Sequence, residues 1–289
     1  MKIGLIGLDT SHSEIFTRLL NDEMDPYHVK GGTITHTIPA YSKDLPISSE
    51  RFPAYFETVT TKYGVHPIED VEEFMNIVDA VIIGTVDGRN HLEWFKDVVR
   101  YGKPVFIDKP IVLSSVEIDE LMKLATQYNT PVMSSSSLRF SESVINITGK
   151  EDLRGGYFYG PVPMQEKMPG YFWYGIHLIE MIVTIFGTAI EKIELKAEGN
   201  HDHLYMIFKN GAEVIVRGEH SWHDRFGAVL HSPEYVQTLT LWKEEKPYYA
   251  RLLEHVVAFF ESGISAVSLN ETAEIIKIIE RINLLKKIG

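Results

Sequence analysis

The sequence predicts an α/β Rossmann domain, built on a doubly wound parallel sheet, followed by a C-terminal α+β open-sheet domain. Short apolar runs alternate with amphipathic segments through the first half of the chain, which is typical of strand–helix–strand units. Consecutive strand-like runs dominate the second half. The 289 residues suffice for two domains of roughly 150 residues each. We expect a dinucleotide-binding domain over residues 1–133 and a substrate or oligomerisation domain over residues 134–289.

Composition excludes several classes of protein. The chain carries 28 Lys and Arg against 40 Asp and Glu, a net charge of −12, whereas general nucleic-acid binders cluster basic residues. It contains no Cys, which excludes disulfides, thiolate catalysis and cysteine-ligated metals. No apolar run is long enough for a signal peptide or a membrane span. We therefore expect a cytoplasmic protein that binds a small molecule and neither nucleic acid nor membrane.

In the first half, buried apolar runs predict strands and helical spacing of apolar residues predicts helices. The capping-box spacing of Ser11 and Glu14 predicts the start of the first helix. Ligands of such sheets bind beyond the carboxyl ends of the strands, so the segments that follow the strands form the candidate site. The predicted strands are residues 2–8, 33–38, 80–84, 104–107 and 131–133, and the later helices are residues 71–77, 91–101 and 115–128.

The second half predicts a sheet flanked by helices. Asn210-Gly211 predicts a hairpin turn between two of its strands. The four serines of residues 134–137 are interpreted as a connection between domains, and residues 160–163 and 168–170 as loops. The predicted strands are residues 190–198, 203–209, 212–219 and 235–242, and the predicted helices are residues 174–186, 249–261 and 271–287.

The segment Gly7-Leu8-Asp9-Thr10-Ser11-His12 lies where a dinucleotide-binding GxGxxG motif belongs, between the first strand and the first helix. Only the first glycine is present. Asp9 brings a carboxylate to the region where the pyrophosphate is expected, and His12 replaces a small residue. The helix N-terminus remains suited to an anion. Alternatively, Asp9 or Ser11 merely caps the helix.

The end of the second predicted strand offers no acid to bind a ribose hydroxyl. Ser42 and Lys43 follow instead, and a hydroxyl with an ammonium group favours the 2′-phosphate of NADP. A solvated loop explains these two residues equally well.

Asp108-Lys109-Pro110 directly follows a predicted buried strand. This position brings an acid and a lysine to the ligand-binding edge of the sheet. Lys109 can orient a substrate hydroxyl or, with a lowered pKa, transfer its proton. The alternative is an ordinary surface pair.

His177 and Glu180 are three residues apart on a predicted helix and therefore share a face. A carboxylate one turn away can orient an imidazole or raise its pKa. The alternative is a histidine that only packs.

Two histidine pairs, His201 with His203 and His220 with His223, raise the question of a metal site. Alternate residues of a strand share a face without any metal, and exposed turn histidines are common. We therefore predict no metal site.

Several motifs together resemble the Gfo/Idh/MocA family of NAD(P)-dependent oxidoreductases over nearly the whole chain. Asp108-Lys109-Pro110 matches the Glu-Lys-Pro of that family, and Gly175-x-His177-x-x-Glu180 matches its Gly-x-His-x-x-Asp. Further matches are residues 79–85 with His91, residues 101–105, Arg139-Phe140, and residues 259–263 followed by 267–287, which resemble the last two helices of the family.

The resemblance implies a Rossmann domain that binds NAD or NADP, with the nicotinamide between the two domains over the substrate. It implies that Lys109 is a substrate-binding or proton-relay lysine and that His177 is the catalytic histidine. Tyr174 and Glu180 are further catalytic candidates. A homodimer or homotetramer is expected by the same resemblance. The expected cofactor-binding residues are Gly7, Leu8, Asp9, Thr10, Ser11, His12, Ser42, Thr85, Asp87, His91, Asp108 and Lys109.

The predicted activity is oxidation of a sugar, a polyol or a similar small polar substrate. Two alternatives stay open. One is redox-neutral lyase or glycosidase chemistry with a retained nicotinamide. The other is a ligand-sensing regulator without catalysis, which is suggested by Asp9 and by Trp173, where many family members carry an Asp.

Overall fold

The computed structural model describes residues 1–147 and 150–288. The chain forms two compact units: Met1–Ser135 with Tyr249–Thr272, and Ser136–Tyr248 with Ala273–Gly289. The predicted second domain, residues 134–289, was continuous, whereas the chain returns to the first unit at Tyr249. It also included Thr148, Gly149 and Gly289, which lie outside the described residues.

The first unit contains a six-stranded parallel sheet in the order β3-β2-β1-β4-β5-β6. The strand order reverses beside β1, which places the expected ligand crevice at the carboxyl ends of β1 and β4. The predicted doubly wound sheet is confirmed, although β3 is too short for sequence periodicity to reveal. The strands are β1 (Lys2–Ile6), β2 (Thr33–Ile38), β3 (His66–Pro67), β4 (Ala80–Ile83), β5 (Val105–Ile107) and β6 (Val132–Met133).

Ten α-helices lie among the described residues. Their predicted positions agree within a few residues, except for three helices of four to six residues that apolar spacing does not reveal. The helices are α1 (Ser11–Asn21), α2 (Pro46–Ser49), α3 (Phe52–Glu57), α4 (Val71–Ile77), α5 (His91–Val99), α6 (Ser115–Gln127), α7 (Glu142–Ile145), α8 (Gly175–Phe186), α9 (Tyr248–Ser262) and α10 (Leu269–Ile288).

The α9 segment packs against the first unit, which explains why the second predicted domain is interrupted. Gly31 has a φ of +106°, and a Cβ there would lie 2.7 Å from Val257 of α9. At the start of α9, the Tyr249 ring lies 6.2 Å from Phe16 of α1. Glycine is needed at position 31 both for the backbone conformation and for the close approach.

The second unit contains a mixed six-stranded sheet in the order β12-β11-β7-β10-β9-β8, in which only β7 and β10 are parallel. Helix α8 covers β7, where Phe158 and Phe186 lie 6.2 Å apart. The α+β open-sheet prediction is confirmed. The strands are β7 (Gly155–Pro161), β8 (Ile190–Glu198), β9 (His201–Phe208), β10 (Glu213–Glu219), β11 (Gly227–His231) and β12 (Val236–Thr240).

Sequence reasoning missed β7 because it is rich in glycine, and part of it was interpreted as a loop. The glycines are required by close packing between strands. A Cβ at Gly155 would lie 2.0 Å from the Glu213 carbonyl oxygen, and one at Gly156 would lie 3.0 Å from the Val229 carbonyl oxygen. Strand β11 was missed as well. Among the described residues, no helix is both long and apolar enough to cross a membrane.

Candidate active site

The loop after β1 is tied to the end of β2 by its backbone. The Gly7 amide donates to Ile38 O at 3.0 Å and the Leu8 amide to Ala40 O at 3.2 Å. Gly7 has a φ of +101°, and a Cβ there would lie 2.6 Å from the Thr85 backbone nitrogen. Only glycine therefore suits position 7, and the loop is fixed at the carboxyl edge of the sheet beside β4.

The Asp9 carboxylate points into the protein. Asp9 is completely buried, and its oxygens accept hydrogen bonds from Ser48 Oγ at 2.7 Å and from Val86 N at 2.9 Å. Burial raises the pKa of Asp9, and these two bonds oppose that rise. The expected carboxylate beside the pyrophosphate is therefore absent, because Asp9 joins three segments of the first unit instead.

Thr10 caps α1, so the alternative that Asp9 or Ser11 caps the helix is wrong. The Thr10 hydroxyl accepts from His12 N at 3.4 Å, and its carbonyl oxygen accepts from Ser13 N at 3.1 Å. Ser11 is the first helical residue. The amides of the first turn lie at the end of β1, where an N-terminal helix end favours an anion.

His12 links the start of α1 to the end of β5 and to α9. Its Nδ1 lies 2.6 Å from Asp108 Oδ2, and its Nε2 lies 2.9 Å from the Tyr249 hydroxyl. Burial opposes ionisation of Asp108, but the adjacent His12 outweighs burial and lowers the pKa of Asp108 to about 2. Asp108 is therefore an ionised scaffold residue. The sequence carried no signal for Tyr249, which follows Asp108 by almost half the length of the chain.

Lys109 follows the ionised Asp108 and is 8% exposed. Burial lowers the pKa of its ammonium group, while the charge of Asp108 opposes that effect. A lysine in this state releases a proton more readily than an exposed lysine, which suits proton transfer.

Ser42 and Asp87 belong to one internal network. Ser42 Oγ donates to Asp87 Oδ2 at 2.6 Å and accepts from Asn90 Nδ2 at 2.7 Å. Arg89 lies 2.6 Å from the same Asp87 oxygen and also pairs with Asp44. Burial favours neutral Asp87, but the bonds from Arg89 and Ser42 prevail and lower its pKa. Both predicted cofactor residues thus brace the loops after β2 and β4.

His91 fixes the start of α5. Its Nδ1 lies 2.7 Å from Pro110 O, and its Nε2 lies 2.8 Å from Thr85 O. Both carbonyl oxygens are acceptors, so the ring N–H of His91 has a partner on either side. The buried ring thereby joins the segment after β4 to the segment after β5, and it acts on any ligand through those backbones.

A cleft of about 500 Å³ lies beyond the ends of β2 and β4. Binding sites for small molecules commonly span roughly 300–1,000 Å³. Its wall combines an apolar floor with three acids, Glu69, Glu93 and Asp97, and contains no Lys or Arg. Burial, followed by the charge of Glu93, raises the pKa of Asp97. The other lining residues are Ile38, Pro39, Ala40, Tyr41, Thr85, Asn90 and Trp94.

In the second unit, His177 and Glu180 of α8 both hold Ser136. His177 Nδ1 lies 2.7 Å from Ser136 Oγ, and Glu180 Oε1 accepts from Ser136 N at 2.8 Å. The other Glu180 oxygen pairs with Arg139 Nε at 3.1 Å. Glu180 therefore fixes the backbone at Ser136, and the Ser136 hydroxyl orients the His177 ring. Ser136 was missed because the serine run containing it was interpreted only as a connection.

Tyr174 lies directly before α8 and next to His177, with ring centroids 5.5 Å apart. Its hydroxyl accepts from Trp222 Nε1 at 3.0 Å. The preceding Trp173 is 5% exposed and packs edge-on against Tyr174, at 5.6 Å between centroids. Tyr174 thus packs against the imidazole of His177, and Trp173 packs against Tyr174. The indole nitrogen that donates to Tyr174 belongs to Trp222, which lies 48 residues later in the chain.

The fold agrees with solved structures over almost the entire chain. A putative myo-inositol dehydrogenase from Sinorhizobium meliloti superposes with a TM-score of 0.78 at 15% identity, over 100% of this chain and 98% of that one. A scyllo-inositol dehydrogenase from Lactobacillus casei gives 0.77 at 15% identity, over 99% and 95%. An Agrobacterium radiobacter oxidoreductase in complex with NAD⁺ and L-tartaric acid gives 0.71 at 14% identity, over 97% and 94%.

Sequence comparison adds two curated relatives. The uncharacterized oxidoreductase YhhX of Escherichia coli is 23% identical over 240 residues, which cover 75% of this chain and 64% of that protein. Mouse biliverdin reductase A is 24% identical over 164 residues, 55% of each chain. The chain thus spans less than two thirds of the length of these relatives.

Residues 46–136 match the family model described as an oxidoreductase family with an NAD-binding Rossmann fold. This segment includes Asp87, His91 and the Asp108-Lys109 pair, and the two-unit fold extends the likeness to the rest of the chain. Within residues 46–136 the chain therefore matches the Gfo/Idh/MocA oxidoreductase family, and over its whole length it has the fold of the inositol dehydrogenases above.

Proposed function

We propose that this protein is an NAD-dependent dehydrogenase that oxidises a secondary alcohol of a sugar, a polyol or a similar small polar molecule. The observation that supports it most is Lys109, a buried lysine with a lowered pKa at the carboxyl end of β5. The inositol dehydrogenases among the similar structures support the substrate class. The comparisons do not favour the redox-neutral or regulatory alternatives.

The residues present fit a bound dinucleotide. Gly7 approaches the backbone of Thr85 too closely for any side chain, and the α1 N-terminus beside it suits a pyrophosphate. Asp9 does not oppose this fit, because its carboxylate is buried and bonded to Ser48 and Val86. The cleft beyond β2 and β4 would take the adenosine end.

A bound nicotinamide would supply the hydride acceptor for oxidation of the carbinol carbon. The hydroxyl proton must leave as the carbonyl forms, and His177 is proposed to take it, with its ring set by Ser136. Lys109 would stabilise the negative charge that develops on the substrate oxygen. Tyr174 would shape the substrate side of the imidazole.

We infer a preference for NAD over NADP. The cleft beyond β2 presents Glu69, Glu93 and Asp97 and no basic side chain, so a 2′-phosphate would enter a negative environment. The residues expected to favour NADP do not support it, because buried Ser42 is engaged by Asp87 and Lys43 does not line the cleft.

The test combines cofactor binding with turnover. Calorimetric titration with NAD⁺ and NADP⁺ should give a Kd at least about 10-fold lower for NAD⁺, equivalent to roughly 1.4 kcal/mol. The double variant E69Q/D97N should narrow that ratio. Turnover of inositols, aldoses and polyols should be followed by NADH formation, with K109M losing activity while it retains NAD⁺ binding. The proposal would be refuted if neither NAD⁺ nor NADP⁺ binds.

A further inference from the structure

Three metal-ligating side chains converge at one end of the second sheet. Strands β8 and β9 form a hairpin in which Glu198 is paired directly with His201. His203 is two residues further along β9, so its side chain projects from the same face as that of His201. One donor atom from each of Glu198, His201 and His203 lies within 4.8 Å of the others.

The three side chains are close enough for small rotations to complete a coordination shell. Glu198 Oε2 lies 3.8 Å from His201 Nε2, and the two imidazole rings are 4.7 Å apart at an interplanar angle of 62°. Tetrahedral Zn²⁺ holds its ligands at about 2.0–2.2 Å, which separates the donor atoms by roughly 3.4 Å. Movements of about 1 Å at the side-chain ends therefore suffice.

The backbone that carries these ligands is anchored from the opposite face. Asp202, between the two histidines, is completely buried. Its carboxylate lies 2.5 Å from Lys286 Nζ and 3.0 Å from His220 Nε2. The register of β9 is therefore fixed, and with it the outward direction of His201 and His203.

Two cations occupy the edge of the cluster. Lys196 pairs with Glu198, and Arg217 lies 3.4 Å from His203 Nε2 while also pairing with Glu219. A metal ion would replace Lys196 as the partner of Glu198. This competition predicts that removing the lysine strengthens metal binding.

We propose that Glu198, His201 and His203 form a surface site for a divalent transition-metal ion of the Zn²⁺ class, which clamps the β8–β9 hairpin. Two imidazoles and one carboxylate are ligands typical of Zn²⁺. Open solvent at this half-buried position would supply the remaining coordination. The sequence pattern predicted no metal site, because alternate strand residues and exposed turn histidines need no metal and Glu198 was not grouped with them. The inference does not depend on the proposed dehydrogenase activity.

The test is calorimetric titration of the full chain, without a histidine tag, with ZnCl₂ and separately with NiCl₂. We expect one ion per chain, with the Kd raised at least 10-fold in H201T and H203T. Threonine retains the strand preference of both positions. H231T is the matched control, since His231 is an exposed strand residue of the same sheet, and it should bind as the unchanged protein does.

The variant K196Q makes the test independent of folding defects. It should lower the Kd several-fold, and misfolding does not produce a gain in affinity. Saturating Zn²⁺ should also raise the Tm of the unchanged protein and of K196Q, but not that of H203T. Absence of stoichiometric binding, equal binding by H203T, or equal loss in H231T would overturn the proposal.

Discussion

The carboxyl edge of the first sheet and the α8 face of the second unit hold their polar side chains in different ways. At the first, buried acids are fixed by full or partial charges, as Asp108 is by His12 and Asp87 by Arg89. At the second, the hydroxyl of Ser136 holds His177. Removing one partner of a buried ion pair leaves an uncompensated charge, whereas removing a hydroxyl costs much less. Changes to the buried acids Asp108 and Asp87 of the first region should therefore affect folding, and changes to Ser136 or His177 in the second should affect turnover.

The largest expected effect is on turnover at the α8 face. Replacing His177 by Asn removes the proposed proton acceptor, and we expect kcat to fall by about 10²–10⁴-fold, the usual contribution of a general base. NAD⁺ affinity should be unchanged. Steady-state kinetics with calorimetry checks both, and H231N is the control. A kcat within about 3-fold of that of the unchanged protein would refute the role of His177 as proton acceptor.

The next effect is on folding at the carboxyl edge. Asp108→Ala removes the buried hydrogen-bond partner of His12 and the counter-charge of Lys109, and we expect a loss of about 3–5 kcal/mol in the free energy of unfolding. Urea unfolding measures it. Asp70→Ala is the control, because Asp70 caps α4 at an exposed position and its loss should cost only about 1 kcal/mol. Equal losses in the two variants would contradict the comparison.

Low pH should reproduce part of the loss in unfolding free energy that is expected for Asp108→Ala. The pKa of Asp108 is about 2 in the folded protein against an ordinary value of 3.8. Folding therefore favours the ionised form, so the stabilisation is complete above about pH 4 and is lost as the pH falls from 3.8 towards 2. Urea unfolding at pH values across this window should show a steeper loss of stability in the unchanged protein than in D108N. Parallel curves would show that His12 does not stabilise the carboxylate.

A smaller effect is expected from Ser136→Ala. The hydroxyl orients the His177 ring and does not itself take the substrate proton in the proposed reaction, so kcat should fall by about 10-fold. The free energy of unfolding should fall by about 1 kcal/mol, the usual net value of one hydrogen bond. Ser136→Thr retains the hydroxyl and should restore most of the kcat. Loss of NAD⁺ affinity in S136A would instead indicate a structural role.

The sequence predicts the fold well where periodicity is strong and the side chains are apolar. Strand β2 and helix α4 occupy the predicted residues, because each satisfies its own local pattern. Strand β7 was missed because its glycines are required by close contact with neighbouring strands. An example is the Glu213 carbonyl beside Gly155. Local propensity does not contain such a constraint.

The sequence likewise predicts only part of the candidate site. Motif positions located Lys109 and His177, but partners distant in the chain decide what each polar group does. Asp9 is bonded to Ser48 and Val86, and His12 to Tyr249. Sequence spacing does not show which way a side chain turns after a strand ends, so Asp9 was predicted to lie beside the pyrophosphate.

Asp9→Asn gives the smallest expected change. It distinguishes an Asp9 carboxylate that is buried in the protein from one that faces the pyrophosphate at the loop after β1. The amide retains the size of the carboxylate and one acceptor for Val86 N or Ser48 Oγ, and burial already disfavours the charge of Asp9. We therefore expect a change in unfolding free energy within about 1 kcal/mol and an NAD⁺ Kd within about 2-fold. A carboxylate facing the pyrophosphate would instead repel it, so its removal would tighten NAD⁺ binding at least about 10-fold at low salt. Calorimetric titration of D9N at low and high salt distinguishes the two outcomes, since only direct repulsion makes the gain depend on salt.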